Sequence, residues 1–120
     1  MNASASAAQQ ETSTQWIEVC RENDLVPNSG LCAKVNGQQV AIIYSKHLNE
    51  VFAIGNYDPI GKANVLSRGI IGSIGDDVVV ASPLYKQHFN LRTGECIDSP
   101  EHSVPVYPVQ IVDGRVQVSA

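Results

Sequence analysis

The chain has 120 residues, of which 43% are apolar and 17% charged, so it is long enough for one domain with a single buried core. Its formal net charge of −4 gives a nucleic-acid role little electrostatic support. No apolar run approaches the length of a membrane span, and six Pro with nine Gly favour short strands joined by turns.

The first fourteen residues are rich in Ala, Ser, Gln and Thr and differ in composition from the remainder of the chain. They lack the basic start and the apolar middle of a secretory signal. Their composition predicts a disordered tail over residues 1–14, followed by one domain over residues 15–120. Without an export signal, a cytoplasmic location is the default expectation.

Turn signals divide the domain into about ten short strands. The first three candidates are Trp16–Cys20, Leu31–Val35 and Gln39–Tyr44. Asn36-Gly37, between the second and the third, is the strongest short hairpin signal because both residues tolerate positive φ. Further strands are predicted at Val51–Gly55, Ile70–Ile74, Val78–Ala81, after Lys86, at Glu95–Ile97, at Val106–Val112 and at Arg115–Val118.

No helix of more than a turn or two is predicted, and no internal repeat is visible. The fold class is therefore all-β, a small sandwich or barrel of short antiparallel strands. Pro108 lies inside the strand predicted at Val106–Val112 and marks an edge or a bulge, because proline has no N–H to donate to a ladder.

Three cysteines, Cys20, Cys32 and Cys96, stand far apart, and no Cys-x-x-Cys occurs. An odd number at wide spacing argues against a disulfide framework. We expect each cysteine to pack as a small apolar residue. The three His are equally scattered, so no sequence cluster supplies the roughly four ligands that a metal ion needs.

Two loops roughly twenty residues apart carry the most specific pattern in the chain. The second, Ser82–Tyr85, resembles the second cluster-binding loop of Rieske iron–sulfur proteins, which reads Cys-Pro-x-His. Ser82 stands at the Cys position and Tyr85 at the His position. The first loop resembles the Cys-x-His loop of that family, with Asp58 at the Cys position and Ile60 at the His position.

A Rieske [2Fe–2S] centre needs two thiolates on one iron and two imidazoles on the other. None of the four matching positions offers either group. The resemblance therefore implies a Rieske-like all-β fold whose metal-ligand positions are degenerate. We expect this chain to bind no metal and no cofactor and to hold no catalytic residue.

A narrower resemblance rests on the runs Asp58-Pro59, Asn64–Gly69 and Ala81–Leu84, the last followed by Lys86-Gln87. These runs are similar to those of the small subunit of bacterial NADH-dependent assimilatory nitrite reductase. That family implies a cytoplasmic partner of a large subunit, which carries FAD, a [4Fe–4S] cluster and sirohaem. The large subunit reduces nitrite to ammonium with NADH in nitrate assimilation, and the small subunit supports it without a redox group.

Two other functions remain open at this point. One is a stand-alone Rieske-type electron carrier like a ferredoxin, which the missing ligands oppose. The other is a module that binds a small ligand in the vacant cluster site. In each case the isolated chain is expected to lack nitrite reductase activity, because it has no Gly-x-Gly-x-x-Gly fingerprint and no set of four Cys.

The resemblance also implies candidate contacts with the partner, because the second cluster loop of Rieske proteins faces the redox partner. Tyr85, Lys86, Gln87 and His88 are predicted to form a docking surface, and Arg68 is a further candidate. The alternative is that the first four form an ordinary polar hairpin tip, and that Arg68 pairs locally with a carboxylate.

A last expectation concerns how the two loops stay closed without a cluster. Ile60, Leu84 and Tyr85 are expected to fill the volume that a cluster would occupy, because burial of apolar side chains offsets the entropy lost on ordering the loops. Lys86 and Gln87 would then point outward.

Overall fold

The computed structural model describes residues 15–119, and the tail predicted for residues 1–14 lies outside them. The described chain forms twelve strands and two single turns of 3₁₀-helix. The strands are β1 Ile17–Arg21, β2 Ser29–Val35, β3 Gln38–Ser45, β4 Glu50–Gly55, β5 Tyr57–Asp58, β6 Ala63–Asn64, β7 Ile70–Ile74, β8 Asp77–Ala81, β9 His88–Asn90, β10 Val106–Tyr107, β11 Val109–Val112 and β12 Arg115–Val118. The 3₁₀ turns are Glu22–Asp24 and Leu66–Arg68.

A four-stranded antiparallel sheet in the order β10-β4-β3-β2 forms the centre of the fold. Its strand β3 contains Val40, Ala41, Ile42 and Ile43, which are all fully buried. Successive side chains of a strand point to opposite faces, and the sheet accordingly covers a separate core on each side. Ala41 and Ile43 belong to one core, whereas Val40 and Ile42 belong to the other.

The first core lies between the central sheet and a three-stranded sheet in the order β9-β8-β7. β7 and β8 form a hairpin, and β9 returns along β8 with Phe89 opposite Val80. The largest fully buried side chains on this side are Phe89, Ile43, Ile54, Leu66 and Leu91. The second of the two loops that resemble the Rieske cluster loops connects β8 to β9 in this layer, and the first connects β5 to β6, which form a separate two-stranded sheet.

The second core lies on the opposite face, under a three-stranded sheet in the order β11-β12-β1. β11 and β12 form a hairpin around Asp113-Gly114, where both residues have positive φ, 52° and 75°. Val116 and Val118 of β12 point inward and are fully buried. The fold is thus three layers of antiparallel sheet, and the predicted all-β class is confirmed.

The prediction of one strand over Val106–Val112 is wrong, because this segment forms two strands. β10 pairs with β4 of the central sheet, whereas β11 pairs with β12 of the outer sheet. Pro108 lies between them, and because it has no N–H it cannot continue the ladder with β4. The proline therefore marks the point at which the chain crosses from one layer to the next.

All three cysteines were expected to pack as small apolar residues in or near a strand, and this is wrong only for the burial of Cys32. Cys96 is fully buried and Cys20 is half-buried, but Cys32 is exposed on β2. Cys96 lies in the segment predicted as the strand Glu95–Ile97, which forms only isolated bridges, including one between Cys96 and Phe89. Within residues 15–119, no helix has the length and apolar character needed to cross a bilayer.

Candidate functional site

Each of the two loops forms a five-residue backbone turn of the same type. Loop 1 is Asp58–Lys62 and loop 2 is Ser82–Lys86. In each loop the N–H of the fifth residue donates to the carbonyl oxygen of the first, at 2.7 Å in loop 1 and 3.0 Å in loop 2. The fifth residue is a lysine with φ of 60° in loop 1 and 65° in loop 2. The second residue is a proline, which restricts φ of both turns in the same way.

The carboxylate of Asp58 is fully buried and joins the two loops. Its Oδ1 accepts the N–H groups of Ile60 at 2.8 Å and Gly61 at 3.0 Å. Its Oδ2 accepts the hydroxyl of Ser82 at 2.5 Å. A buried carboxylate is costly unless its lone pairs are satisfied, and these three donors provide that compensation.

Ser82 is the corresponding first residue of loop 2, and it is buried as well. Its Oγ donates to Asp58 and accepts the N–H of Leu84 at 3.3 Å. Its own N–H donates to the carbonyl oxygen of Gln87 at 2.8 Å, which ties the end of the turn to its start. The hydroxyl of Ser82 therefore stabilises the turn of loop 2 and also joins the two loops.

A glycine permits the close approach of the two loops. A Cβ atom added to Gly61 would lie 2.5 Å from Cδ1 of Leu84 and 2.9 Å from Oδ2 of Asp58. Beneath this contact, Ile60 packs against the first core. Loop 1 is thus held from below by apolar contact and from the side by loop 2.

The expected closure by apolar packing is wrong for two of the three side chains. Ile60 packs inward, but Leu84 is 45% exposed and Tyr85 is 65% exposed. The physical reason is that Asp58 and Ser82 are in direct hydrogen-bond contact, so little volume remains between the loops for other side chains to fill. The polar contact between Asp58 and Ser82 therefore closes the loops, beside the close approach of Leu84 to Gly61.

These residues do not fit a Rieske cluster. The side chains of Asp58 and Ser82 are committed to each other, and neither Ile60 nor Tyr85 supplies an imidazole. Among the residues that the structure describes, no group of three or more His, Cys, Asp or Glu side chains is placed to hold a metal ion. Direct contact between the loops also argues against the alternative of a small ligand in the cluster position.

The nearby thiol of Cys96 does not replace the missing ligands. Burial raises the pKa of the Cys96 thiol above its usual range, and the carboxylates of Asp98 and Asp58 raise it further. The backbone N–H groups of Ser99 and Asp98 oppose this shift only in part. The thiol therefore stays protonated near neutral pH, and a metal binds the thiolate form.

Four of the predicted contact residues lie in two different environments. Arg68 and Lys86 are exposed, and neither forms an ion pair within residues 15–119. Gln87 was expected to point outward, but it is half-buried, and its buried Oε1 has no hydrogen-bond partner in the described chain. His88 is half-buried, and its Nδ1 and backbone N–H lie 3.1 Å and 2.7 Å from Oδ2 of Asp98.

Two features of the site were missed by sequence reasoning. Lys62 occupies the same position in loop 1 as Lys86 does in loop 2, and Gly61 allows the loops to touch. The signal was present, because both loops read as a short polar residue, Pro, two further residues and Lys. This shared five-residue pattern is too short to count as an internal repeat, but it marks two turns of the same kind.

Comparison with known proteins places the chain in a family. The family model described as the Rieske-like [2Fe-2S] domain matches residues 15–119. The nitrite reductase (NADH) small subunit of Salmonella typhimurium is 44% identical over 105 residues, which are 88% of this chain and 97% of the relative. The chain belongs to the nitrite reductase small-subunit family.

Other members of this family and one larger protein extend the comparison. The NMR structure of the Escherichia coli protein NirD is similar with a TM-score of 0.83 and 41% identity, covering 90% of this chain and 98% of that one. The nitrite reductase [NAD(P)H] large subunit of Klebsiella oxytoca is 36% identical over 106 residues, which are 88% of this chain but 11% of that protein. A small-subunit domain therefore also occurs inside a large-subunit polypeptide.

Proposed function

We propose that this chain is the non-catalytic small subunit of an NADH-dependent nitrite reductase and that it acts by binding the large subunit. The observation that carries this proposal is 44% identity across 97% of a nitrite reductase small subunit. The Klebsiella large subunit supports it, because a domain fused to a catalytic chain in one organism serves as its separate partner in another. The complex acts in the cytoplasm, in nitrate assimilation.

The redox groups belong to the partner in this proposal. The large subunit carries FAD, a [4Fe–4S] cluster and sirohaem and reduces nitrite to ammonium with NADH. The loops of this chain do not fit a Rieske cluster, because Asp58 and Ser82 engage each other where a cluster would need thiolates. An electron-carrier role is correspondingly disfavoured, and the contribution of this chain is binding.

The surface around the two loops is the proposed contact with the large subunit. Residues 57–69 and 82–88 carry three of the chain's eight Lys and Arg but one of its twelve Asp and Glu, and that carboxylate is buried. Arg68 and Lys86 thus stand on a positive surface of an acidic protein, and Tyr85 adds an exposed aromatic ring. Such a surface complements an acidic patch, with Gln87 and His88 at its border.

Lys62 and Lys86 have positive φ, a backbone conformation that is unfavourable for residues other than glycine. A non-glycine residue in the left-handed region costs about 1–2 kcal/mol relative to the right-handed one. Lys62 and Lys86 both adopt it, although glycine would fit at no such cost. Residues that hold such a conformation cluster at functional sites, which favours a role for the two ammonium groups in binding.

Co-purification with the large subunit tests this proposal. We expect the tagged chain to retain a flavin- and sirohaem-containing subunit, to be inactive alone, and to raise NADH-dependent nitrite loss by the large subunit. Lys86→Glu should raise the Kd for the large subunit about tenfold, because it places a like charge against an acidic patch.

The matched control is Lys46→Glu, which makes the same charge change on the exposed turn between β3 and β4, at the opposite end of β4 from loop 1. It should leave the Kd within about twofold of wild type. If the wild-type chain does not bind the large subunit, the proposed function is wrong. If Lys46→Glu and Lys86→Glu weaken binding equally, only the assignment of the loop surface is wrong.

A further inference from the structure

A second surface lies at the far end of β4 from the two loops. There a cleft of about 830 Å³ runs beside Glu50–Phe52, between this part of β4 and the chain around β10 and β11. Leu25, Val109 and Ile111 contribute apolar walls. Because β4 runs from the cleft to loop 1, its six residues separate the two surfaces by about 20 Å.

Within residues 15–119, the Glu50–Phe52 part of β4 has no strand partner on the edge that faces the cleft. On this side β10 pairs only with Ala53 and Ile54, and among residues 15–119 no strand continues beyond them. The N–H of Gly55 donates to Pro105 on this same edge at 2.9 Å. Backbone polar groups of a strand alternate between its two edges, so the N–H and C=O of Val51 also point to the cleft.

This combination of groups is suited to an extended peptide. Unpaired N–H and C=O groups on a strand edge accept another strand, and apolar pockets beside the edge select its alternate side chains. Ile111 in the wall is 40% exposed, and Phe52 lies at the floor. A ligand without a peptide backbone would leave the edge groups of Val51 unsatisfied.

The charged groups at the cleft further restrict its occupant. Nη1 and Nη2 of Arg92 donate to the carboxylate of Glu50, each at 2.8 Å, and the guanidinium carbon lies 5.3 Å from the Phe52 ring centroid. This end of the cleft is therefore charge-balanced. Glu22 also lines the cleft, is exposed and forms no ion pair within the described residues. The cleft thus favours an apolar strand that is neutral or carries a basic residue beside Glu22.

We propose that this cleft binds an extended segment of the nitrite reductase large subunit, which adds as a strand to the Glu50–Phe52 edge of β4. The proposal rests on the proposed function, since it takes the large subunit as the partner. In the Klebsiella relative a similar domain is part of the large-subunit polypeptide. Other segments of that large subunit are therefore covalently linked to a domain of this family. Residues 1–14 of this chain are a poor occupant, because beyond Met1 they contain no large apolar side chain.

Hydrogen–deuterium exchange of the full chain with and without the large subunit tests the proposal at one amide. We expect the exchange of the Val51 N–H to slow at least tenfold in the complex, because a strand bond protects it. Ile111→Glu should raise the Kd at least tenfold by placing a charge in the apolar wall. Ile74→Glu is the matched control, because Ile74 is 41% exposed and lies outside the cleft. This variant should bind the large subunit with the Kd of the wild-type chain.

The outcomes separate this inference from the proposed function. If the wild-type chain binds the large subunit while Val51 exchanges at its free rate, the inference is overturned and the proposed function stands. If no binding occurs at all, both are overturned. Protection of Val51 in the free chain that disappears on deletion of residues 1–14, or that grows with protein concentration, would assign the cleft to the chain itself or to a second copy and would overturn the inference.

Discussion

Loop 1 and loop 2 have the same backbone turn, yet loop 1 is anchored to the core while loop 2 presents its side chains to solvent. In loop 1 the Asp58 carboxylate accepts three hydrogen bonds and Ile60 packs inward. In loop 2 Leu84 and Tyr85 are largely exposed. The difference shows that one turn serves two purposes, according to the side chains that it carries at its first, third and fourth positions.

The largest effect is expected from removal of the anchor of loop 1. Asp58→Ala leaves the N–H groups of Ile60 and Gly61 and the buried hydroxyl of Ser82 without their acceptor. We expect the free energy of unfolding to fall by about 3–4 kcal/mol, measured by urea denaturation at pH 7.

Asp76→Ala is the control for this variant, because Asp76 lies exposed at the tip of the β7–β8 hairpin. It should lower the free energy of unfolding by about 0.5 kcal/mol or less. If the two variants lose equal stability, the carboxylate of Asp58 is not the anchor of loop 1.

The next effect compares truncations at the third position of each loop. Ile60→Ala should lower the free energy of unfolding by about 2 kcal/mol, the low end for a buried Ile, because Ile60 is half-buried against the core. Leu84→Ala should cost about 0.5 kcal/mol or less, since its side chain is 45% exposed. Thermal and urea unfolding of the two variants would detect the difference. Equal losses of stability would contradict the claim that loop 1 is anchored to the core and loop 2 is not.

A smaller effect is expected from the hydrogen bond that joins the loops. Ser82→Ala removes the donor to Oδ2 of Asp58 but leaves the two backbone donors to Oδ1 in place. The free energy of unfolding should fall by about 1–2 kcal/mol. In a double-mutant cycle, Asp58→Ala and Ser82→Ala should show a coupling of about 1 kcal/mol. Additive losses would mean that the two side chains contribute independently.

The smallest effect concerns the exposed carboxylate that lies beyond loop 2 in the chain. Hydrogen bonds from the backbone N–H of His88, and then from its side chain, hold the pKa of Asp98 below its usual range. The stabilisation is therefore present above about pH 4 and is lost as the pH falls through the pKa of the folded state. Because Asp98 is exposed, we expect less than about 0.5 kcal/mol. Urea unfolding of wild type and Asp98→Asn should differ at pH 7 and coincide at pH 2, and a difference that persists at pH 2 would contradict this assignment.

Local turn chemistry explains which parts of the fold were predictable. Asn36-Gly37 and Asp113-Gly114 both form hairpin turns with positive φ, because two adjacent residues suffice to specify such a turn. The division at Pro108 was predicted only as an edge or a bulge. A missing N–H tells where a ladder must stop, but which sheet the chain joins next depends on distant packing.

The candidate site was predictable in position but not in its contacts. The Pro residues and turn signals located both loops, and the degenerate ligand positions indicated that no cluster fits. The hydrogen bond from Ser82 to Asp58 joins residues 24 positions apart, and nothing in the local sequence pairs them. The exposure of Tyr85 was likewise hidden, because an aromatic residue in a loop packs inward or outward according to its neighbours in space.

The burial of β3 on both faces has a consequence for how this protein folds. Val40 and Ile42 seal one core and Ala41 and Ile43 seal the other, so each outer layer covers one side of the same strand. Loss of either layer would expose side chains that contribute about 1.5–3 kcal/mol each when buried, a large share of the stability of a small protein. The molecule therefore cannot be divided into two autonomous halves, and its layers form and melt as one cooperative unit.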